Sequence, residues 1–158
     1  MWTSFVLIAT TWLIIKHFLL DFTRRGQPPW MFLNKGTYGH PGGIVHALAH
    51  AIGSLPIFIW PMFWVHWPGQ IQLVCTLFVA ELLIHYHMDW FKMWWGKRQG
   101  WSEHIPYHTK PCASKGPPQP GWLNPHLAIY SHNWFLMLGV DQLVHYLTYV
   151  GMVWAWTR

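Results

Sequence analysis

Residues 36–80 read GTYGHPGGIVHALAHAIGSLPIFIWPMFWVHWPGQIQLVCTLFVA and contain no Asp, Glu, Lys or Arg. The stretch is too long for one membrane crossing, because about 20 apolar residues cover the roughly 30 Å of hydrocarbon in a bilayer. The sequence Trp-Pro-Gly-Gln at residues 67–70 has the Pro and Gly of a turn. It therefore divides the apolar stretch into two predicted spans, near 42–66 and 70–94.

Two further segments are predicted to cross the membrane. Residues 2–22 contain one basic residue, Lys16, before Asp21, and residues 132–156 contain one formal charge, Asp141. A cleaved signal peptide is the competing interpretation of the first segment. It is disfavoured because no basic region precedes the apolar residues and no small-residue cleavage site follows them.

The composition agrees with a membrane protein. Of the 158 residues 53% are hydrophobic and only 9% are charged, whereas about 25% of the residues in a soluble domain are charged. Residues 96–131 are rich in Pro, Gly and Lys and predict a long polar loop between the third and fourth helices. The predicted fold class is all-α, a polytopic membrane protein in which residues 1–158 form one bundle of four transmembrane helices in the lipid bilayer.

Basic residues lie in two of the three connections between the predicted spans. They are Arg24, Arg25 and Lys35 after the first span, and Lys97, Arg98, Lys110 and Lys115 after the third. The positive-inside rule places both basic loops in the cytoplasm and both termini outside. The net charge of +5 is thereby explained by topology, and we expect no nucleic-acid partner.

Each predicted span contains one pair of polar residues four positions apart. The pairs are His17 and Asp21, His46 and His50, His85 and Asp89, and Asp141 and His145. This spacing places both side chains of a pair on one helix face. Spans of alternating direction bring all four pairs toward the cytoplasmic side. Ionisable groups in a membrane cost about 2.5–3.5 kcal/mol each on insertion scales, so the repetition indicates a functional site.

The residue types of these pairs are those of a metal site. Five imidazoles and three carboxylates suit divalent Zn, Fe or Mn, and helical bundles often build such sites from facing helices. We therefore predict that the four pairs hold one or two divalent metal ions. A purely structural polar network is one alternative. Haem bound by two His is another, which the interleaved carboxylates disfavour.

Five more predicted roles concern residues around this site. Asp89 and Glu81, which precedes His85 by four positions, are candidate catalytic general bases. Lys35 and Lys92 are candidates for binding an anionic group of a substrate. The alternative is that both lysines extend toward the membrane surface. Gln142 is a candidate for orienting a ligand or substrate.

Five motifs in chain order resemble a known family. They are HFLLD (17–21), NK (34–35), HALAH (46–50), HYHMDWFK (85–92) and DQLVH (141–145). Together they resemble the small bacterial and phage membrane proteins grouped as domain of unknown function 3307, a family without an agreed activity. The resemblance implies a bacterial inner-membrane location and these matching positions: His17, Asp21, Lys35, His46, His50, Asp89, Lys92, Asp141 and His145. Arg24-Arg25 and the long 96–131 segment depart from the family pattern.

Three functions are compatible with these residues. The leading hypothesis is a metal-dependent membrane hydrolase acting on a lipid-like or anionic substrate. A looser resemblance to membrane-bound metal-dependent hydrolases, which place His and Asp at helix ends, favours the presence of a metal. The second is a di-iron oxidoreductase of the desaturase or hydroxylase type, although the sequence has no HxxHH box. The third is a non-enzymatic metal or proton carrier, or a membrane scaffold. A homo-oligomer is compatible with each of them.

Overall fold

In the computed structural model the described residues are 2–23, 25–32, 34–99 and 125–158, and they are helical apart from short connections. The helices are α1 (Trp2–Phe22), α2 (Pro29–Phe32), α3 (Pro41–Ile59), a 3-10 helix (Trp60–Phe63), α4 (Gln70–Arg98) and α5 (Pro125–Trp156). The predicted all-α class is confirmed.

Three helical segments in this part of the chain are long and apolar enough to cross a membrane. They are Trp2–Phe22, Pro41–Phe63 and Gln70–Gly96. Large apolar side chains such as Leu7 and Ile71 are exposed on their outer surfaces, as lipid contact requires. The apolar character of the first three predicted spans is therefore confirmed, whereas a crossing by α5 stays a prediction.

Helix α3 begins and ends where local chemistry requires. The side chain of His40 accepts a hydrogen bond from the Gly42 amide at 3.0 Å, and Pro41 follows it in the first turn, where its missing N–H costs nothing. Pro61 has no N–H for the carbonyl four residues back, so the α-helix gives way to a 3-10 turn. The predicted turn at 67–70 forms with Gly69 at φ +88°, a conformation that favours glycine.

Two boundaries of the predicted loop 96–131 are wrong. Helix α4 continues to Arg98, and α5 begins at Pro125. The predicted boundaries followed hydropathy, which falls where the apolar residues end. A helix can continue beyond that point through polar residues with high helix propensity, such as Lys and Arg. Pro125 is at the first position of α5, where proline suits a helix start. Residues 100–124 of the predicted loop lie outside the described residues.

The bundle separates an apolar end from a polar end. The buried apolar cluster is formed by Ala9, Leu13, Phe58, Val74, Leu77, Tyr149, Met152, Val153 and Trp156. These residues come from the first half of α1, the end of α3, the start of α4 and the end of α5. Because these four helices alternate in direction, the last turns of α1, the first turns of α3, the later part of α4 and the middle of α5 come together nearer the other end of the bundle. These segments contain the four polar pairs.

We predict that Gly26→Ala destabilises the fold. A Cβ at Gly26 would overlap the backbone oxygen of Leu19 and lie 2.6 Å from the Leu20 Cα, so the chain after α1 would have to move. Such overpacking costs about 1–3 kcal/mol in the free energy of unfolding. Thermal unfolding in detergent measures the loss.

Gly139→Ala is the matched control for this substitution. Gly139 also lies in the bundle, in α5, but a Cβ there meets nothing within 4 Å. Alanine favours a helix over glycine by about 1 kcal/mol, so this variant is expected to be as stable as the parent or more so. Equal unfolding temperatures for the two variants would contradict the account of Gly26.

Candidate metal centre

The four predicted pairs come together at the polar end of the bundle. The last turns of α1, the first turns of α3, the later part of α4 and the middle of α5 lie side by side there. Seven of the eight side chains belong to residues that are at most 3% exposed: His17, His46, His50, His85, Asp89, Asp141 and His145. The side chain of Asp21 is 7% exposed. The site is therefore closed almost completely by protein.

Four of these side chains present ligand atoms that lie close to one another, namely Asp21, His46, His50 and His85. Asp21 Oδ1 lies 2.8 Å from His46 Nε2 and 3.3 Å from His50 Nε2. His46 Nε2 lies 3.3 Å from His85 Nε2. Ligand atoms about 2.05 Å from a tetrahedral zinc ion are separated by about 3.3 Å. The spacing of this first group therefore suits a single ion of this size.

Hydrogen bonding does not account for the first group. In the described part of the protein, no contact to either carboxylate oxygen of Asp21 or to the Nε2 of His50 has full hydrogen-bond geometry, although imidazole nitrogens lie 2.8–3.3 Å from the Asp21 oxygens. An unpaired buried polar atom costs about 1–3 kcal/mol. A divalent cation bound by these atoms would satisfy them together, and three imidazoles with one carboxylate are ligands that zinc commonly takes. The residues present therefore fit a metal ion.

A second group overlaps the first. It consists of His85, Asp89 and His145, and His85 Nε2 lies 3.5 Å from Asp89 Oδ2. The rings of His50, His85 and His145 are stacked in a row, with centroids 3.8 Å and 4.0 Å apart. The Nε2 of His85 faces both groups, and its one lone pair binds one ion. The geometry therefore favours one ion over the predicted upper limit of two.

The structure places His17 outside both groups, although the spacing predicted it as a ligand. Its Nε2 lies 2.8 Å from Gln142 Oε1 and 3.1 Å from Asp21 Oδ2. An amide oxygen only accepts, so in a neutral ring Nε2 carries the proton. Nδ1 then accepts from the Tyr149 hydroxyl at 3.0 Å. His17 therefore orients Asp21 instead of offering a free lone pair.

Asp141 also lies outside both groups. Its Oδ2 accepts hydrogen bonds from Lys92 Nζ at 2.8 Å and from Gln142 Nε2 at 3.1 Å, and its Oδ1 lies 3.3 Å from His145 Nε2. Gln142 was predicted to orient a ligand or a substrate. In the structure it links Asp141 to His17 and fixes the orientation of both.

The two lysines predicted to bind substrate are buried and paired with carboxylates. Lys35 Nζ lies 2.7 Å from Asp89 Oδ2, and Lys92 Nζ lies 3.1 Å from Asp89 Oδ1. Their side chains are 3% and 8% exposed. Neither lysine extends toward a membrane surface, so that alternative is wrong. The two ammonium groups instead neutralise Asp89, with Lys35 at Oδ2 and Lys92 at Oδ1.

A second polar cluster, which sequence reasoning missed, lies one turn nearer the apolar core. Lys16 Nζ lies 2.5 Å from Glu81 Oε1 and donates to Ser54 Oγ at 2.9 Å and to the His50 carbonyl at 3.1 Å. The lysine stem crosses α3 at Gly53, where a Cβ would be 2.8 Å from Lys16 Cδ. The one basic residue of the first span, Lys16, and the acidic residue Glu81 in the apolar part of the third span were the signal that could have found this pair.

This ion pair changes the interpretation of Glu81, a predicted catalytic base. One carboxylate oxygen of Glu81 is held by Lys16, and Glu81 belongs to neither of the two groups of ligand atoms. Asp89, the other predicted base, belongs to the second group and lies beside the first, with Oδ2 3.2 Å from His46 Nε2. The geometry favours Asp89 over Glu81 for chemistry at an ion.

Comparison of the chain with protein-family models, with curated proteins and with solved structures finds no match. The resemblance to domain of unknown function 3307 therefore stays a prediction from five motifs. Fold and site together define the protein as a helical bundle with apolar helices and a buried His/Asp cluster that could hold a metal ion.

We predict that Tyr149→Phe changes the tautomer of His17. The substitution removes the hydroxyl that lies 3.0 Å from both His17 Nδ1 and Lys16 Nζ, and an unsatisfied buried group costs about 1–3 kcal/mol. Nitrogen-15 NMR of labelled histidine is expected to show a protonated Nε2 in the parent and a different population in the variant.

Tyr146→Phe is the control for this experiment. The ring of Tyr146 packs on His17 at 5.6 Å between centroids, close to the 5.7 Å of Tyr149. Its hydroxyl makes no hydrogen bond within the described part of the chain, and its side chain is 39% exposed. The control is expected to leave the His17 signals unchanged. Identical spectra for Tyr149→Phe and the parent would contradict the proposed chain of hydrogen bonds.

Proposed function

We propose that this protein is an integral membrane metalloprotein that holds one divalent ion on Asp21, His46, His50 and His85, and that it is a metal-dependent hydrolase. The observation that supports this most is the spacing of those four ligand atoms inside a bundle of apolar helices. In this proposal α5 is the fourth membrane crossing, the termini lie outside and the ion lies near the cytoplasmic face of a bacterial inner membrane.

Zinc suits the proposed ligands better than iron or manganese. Zinc commonly binds three imidazole nitrogens and one carboxylate oxygen in tetrahedral geometry, whereas manganese prefers more oxygen ligands and octahedral geometry. A di-iron oxidoreductase is disfavoured because its carboxylates would need to bridge or chelate iron. Here Asp89 pairs with two lysines and Asp141 with one.

Hydrolysis requires a position at the ion for water. Catalytic zinc sites commonly combine three protein ligands with one exchangeable position, and His46, His50 and His85 can supply the three. Asp21 would then be the ligand that gives up its place to water, because its side chain is the most exposed of the four at 7%. At such a position the ion would convert bound water into a hydroxide nucleophile at neutral pH.

Asp89 is the residue best placed to accept a proton from that water. Its Oδ2 lies 3.2 Å from His46 Nε2, an atom of the first group. Lys35 and Lys92, on the two oxygens of Asp89, lie close enough to stabilise a negative charge on a phosphate or carboxylate ester. The substrate class of this proposal is therefore a lipid-like or other anionic ester.

A metal or proton carrier is the competing function. A carrier requires ligands along a path across the membrane, whereas the two groups of ligand atoms lie together at one end of the bundle. The Lys16 and Glu81 pair extends the polar region by one turn, and the apolar cluster fills the remaining length. This one-sided distribution supports an enzyme over a carrier.

We predict that the purified protein contains one divalent ion per chain and that His46→Ala removes it. His46 provides Nε2 at the centre of the first group, within 3.3 Å of atoms of Asp21 and His85. Elemental analysis by mass spectrometry after purification in detergent measures the stoichiometry.

His87→Ala is the control for metal content. His87 lies on α4 near His85, but it is exposed, with Nδ1 2.7 Å from the Leu83 carbonyl and Nε2 3.2 Å from the Tyr38 hydroxyl. This variant is expected to retain the full ion content. A folded parent protein that binds none of zinc, iron or manganese would overturn the proposed function.

We predict that Asp89→Asn lowers hydrolysis of an ester substrate by about 10²–10⁴-fold, the usual contribution of a general base, while the ion content stays at one. A panel of phosphate and carboxylate esters of lipid-like alcohols, in detergent micelles, provides the rates. Removing the ion with a chelator is expected to abolish activity, and zinc to restore it. Ion flux into proteoliposomes without hydrolysis of any ester would favour the carrier instead.

A further inference from the structure

Lys35 lies in the connection between α2 and α3, but its ammonium group lies inside the site. The side chain is 3% exposed, and Nζ lies 2.7 Å from Asp89 Oδ2 and 3.7 Å from Asp21 Oδ1. Asp21 belongs to the first group of ligand atoms and Asp89 to the second. One ammonium group is therefore placed against both groups.

This position conflicts with a bound metal ion. An ion bonded to Asp21 Oδ1 at about 2.1 Å would lie no farther than about 6 Å from Lys35 Nζ. The surrounding side chains are buried, so the repulsion between the two cations is screened much less than it would be in water. The ion and the ammonium group also use the same oxygen of Asp21. The two cations therefore compete for the site.

Three lysines neutralise most of the negative charge of the site. Four carboxylates occur within the described ranges, on Asp21, Glu81, Asp89 and Asp141, and all four lie in the polar part of the bundle. Three lysines pair with them: Lys16, Lys35 and Lys92. With neutral imidazoles the net charge is one negative unit, so the arrival of a divalent ion leaves positive charge in excess.

Lys35 is the lysine best able to leave. It lies in a turn outside the helices, where a side chain can withdraw without moving a helix. On leaving, Lys35 would also lose a hydrogen bond to the amide oxygen of Gln27, which lies 2.5 Å from Nζ once that amide is turned to satisfy both of its neighbours. Lys92, by contrast, is on α4 and pairs with Asp89 Oδ1 and Asp141 Oδ2; among the described residues Lys35, and not Lys92, also forms an ion pair with Asp21.

We propose that the ammonium group of Lys35 competes with the metal ion for the carboxylates of the site. This ammonium group neutralises Asp21 and Asp89 in the ion-free protein and is released when an ion binds. The released ammonium group is then available to an anionic group of the substrate. This inference rests on the proposed metal centre and deepens it, because it makes Lys35 the residue that sets the affinity of the site.

The first test compares Lys35→Met with Lys92→Met. Methionine keeps much of the apolar stem and removes the charge in both variants. The dissociation constant for Zn²⁺ or Co²⁺, measured by competition with a chelator of known affinity, is expected to fall about tenfold or more in Lys35→Met. In Lys92→Met it is expected to change less or to rise. An unchanged or weaker affinity in Lys35→Met, or an equal gain in both variants, would overturn the inference.

The second test uses the unsubstituted protein, so it does not depend on how well a variant folds. The Lys35 side chain is buried in the structure, and an amine-modifying reagent followed by mass spectrometry is expected to label it several-fold faster at saturating Zn²⁺ than in protein stripped of metal, with Lys92 unchanged. Equal labelling of Lys35 with and without bound Zn²⁺ would overturn the inference alone. If the unsubstituted protein binds no ion at all, the proposed function fails, and this inference fails with it.

Discussion

Pairing of buried charge is the constraint on which the rest of the structure depends. An unpaired ion between apolar helices costs several kcal/mol, and removal of one partner of a buried pair costs about 3–5 kcal/mol. Each of the three lysines Lys16, Lys35 and Lys92 connects two elements of the bundle through a carboxylate. Lys16 joins α1 to α4, Lys35 joins the α2–α3 connection to α4, and Lys92 joins α4 to α5. Helix rotation and depth are thereby fixed by ion pairs in addition to the apolar cluster at the other end of the bundle.

The division of the bundle into an apolar and a polar end also separates two physical tasks. At the apolar end, side chains such as Leu13, Phe58 and Trp156 pack without polar groups and hold the helices at a fixed distance. At the polar end, some imidazole and carboxylate atoms are buried without a well-formed hydrogen bond. Burial of such atoms destabilises the fold, and a ligand that binds them would remove this destabilisation. Such a site gains affinity because its side chains are ordered before the ligand arrives.

The convergence of the polar pairs could be predicted because helical periodicity and alternating direction together determine face and depth. The same reasoning could not predict which atoms are free to bind an ion. His17 and Asp141 have the right spacing, but the nitrogens of His17 contact Tyr149 and Gln142, and Asp141 accepts a hydrogen bond from Lys92. Contacts between helices leave no periodic signal, so the Lys16–Glu81 pair was missed. The predicted start of α5, residue 132, was wrong for a related reason. Hydropathy indicates which part of a helix lies in apolar surroundings, but it does not indicate where the helix begins.

The close contact between Lys16 and Gly53 limits which substitutions this sequence can accept. The stem of Lys16 lies against this glycine, and the indole of Trp12 donates to the Gly53 carbonyl at 2.9 Å. A larger residue at 53 would require the stem of Lys16 to shift or residue 16 to become shorter, and either change would disturb the pair with Glu81. Positions 16, 53 and 81 are therefore physically coupled, and the effects of their substitutions on stability are expected to be non-additive.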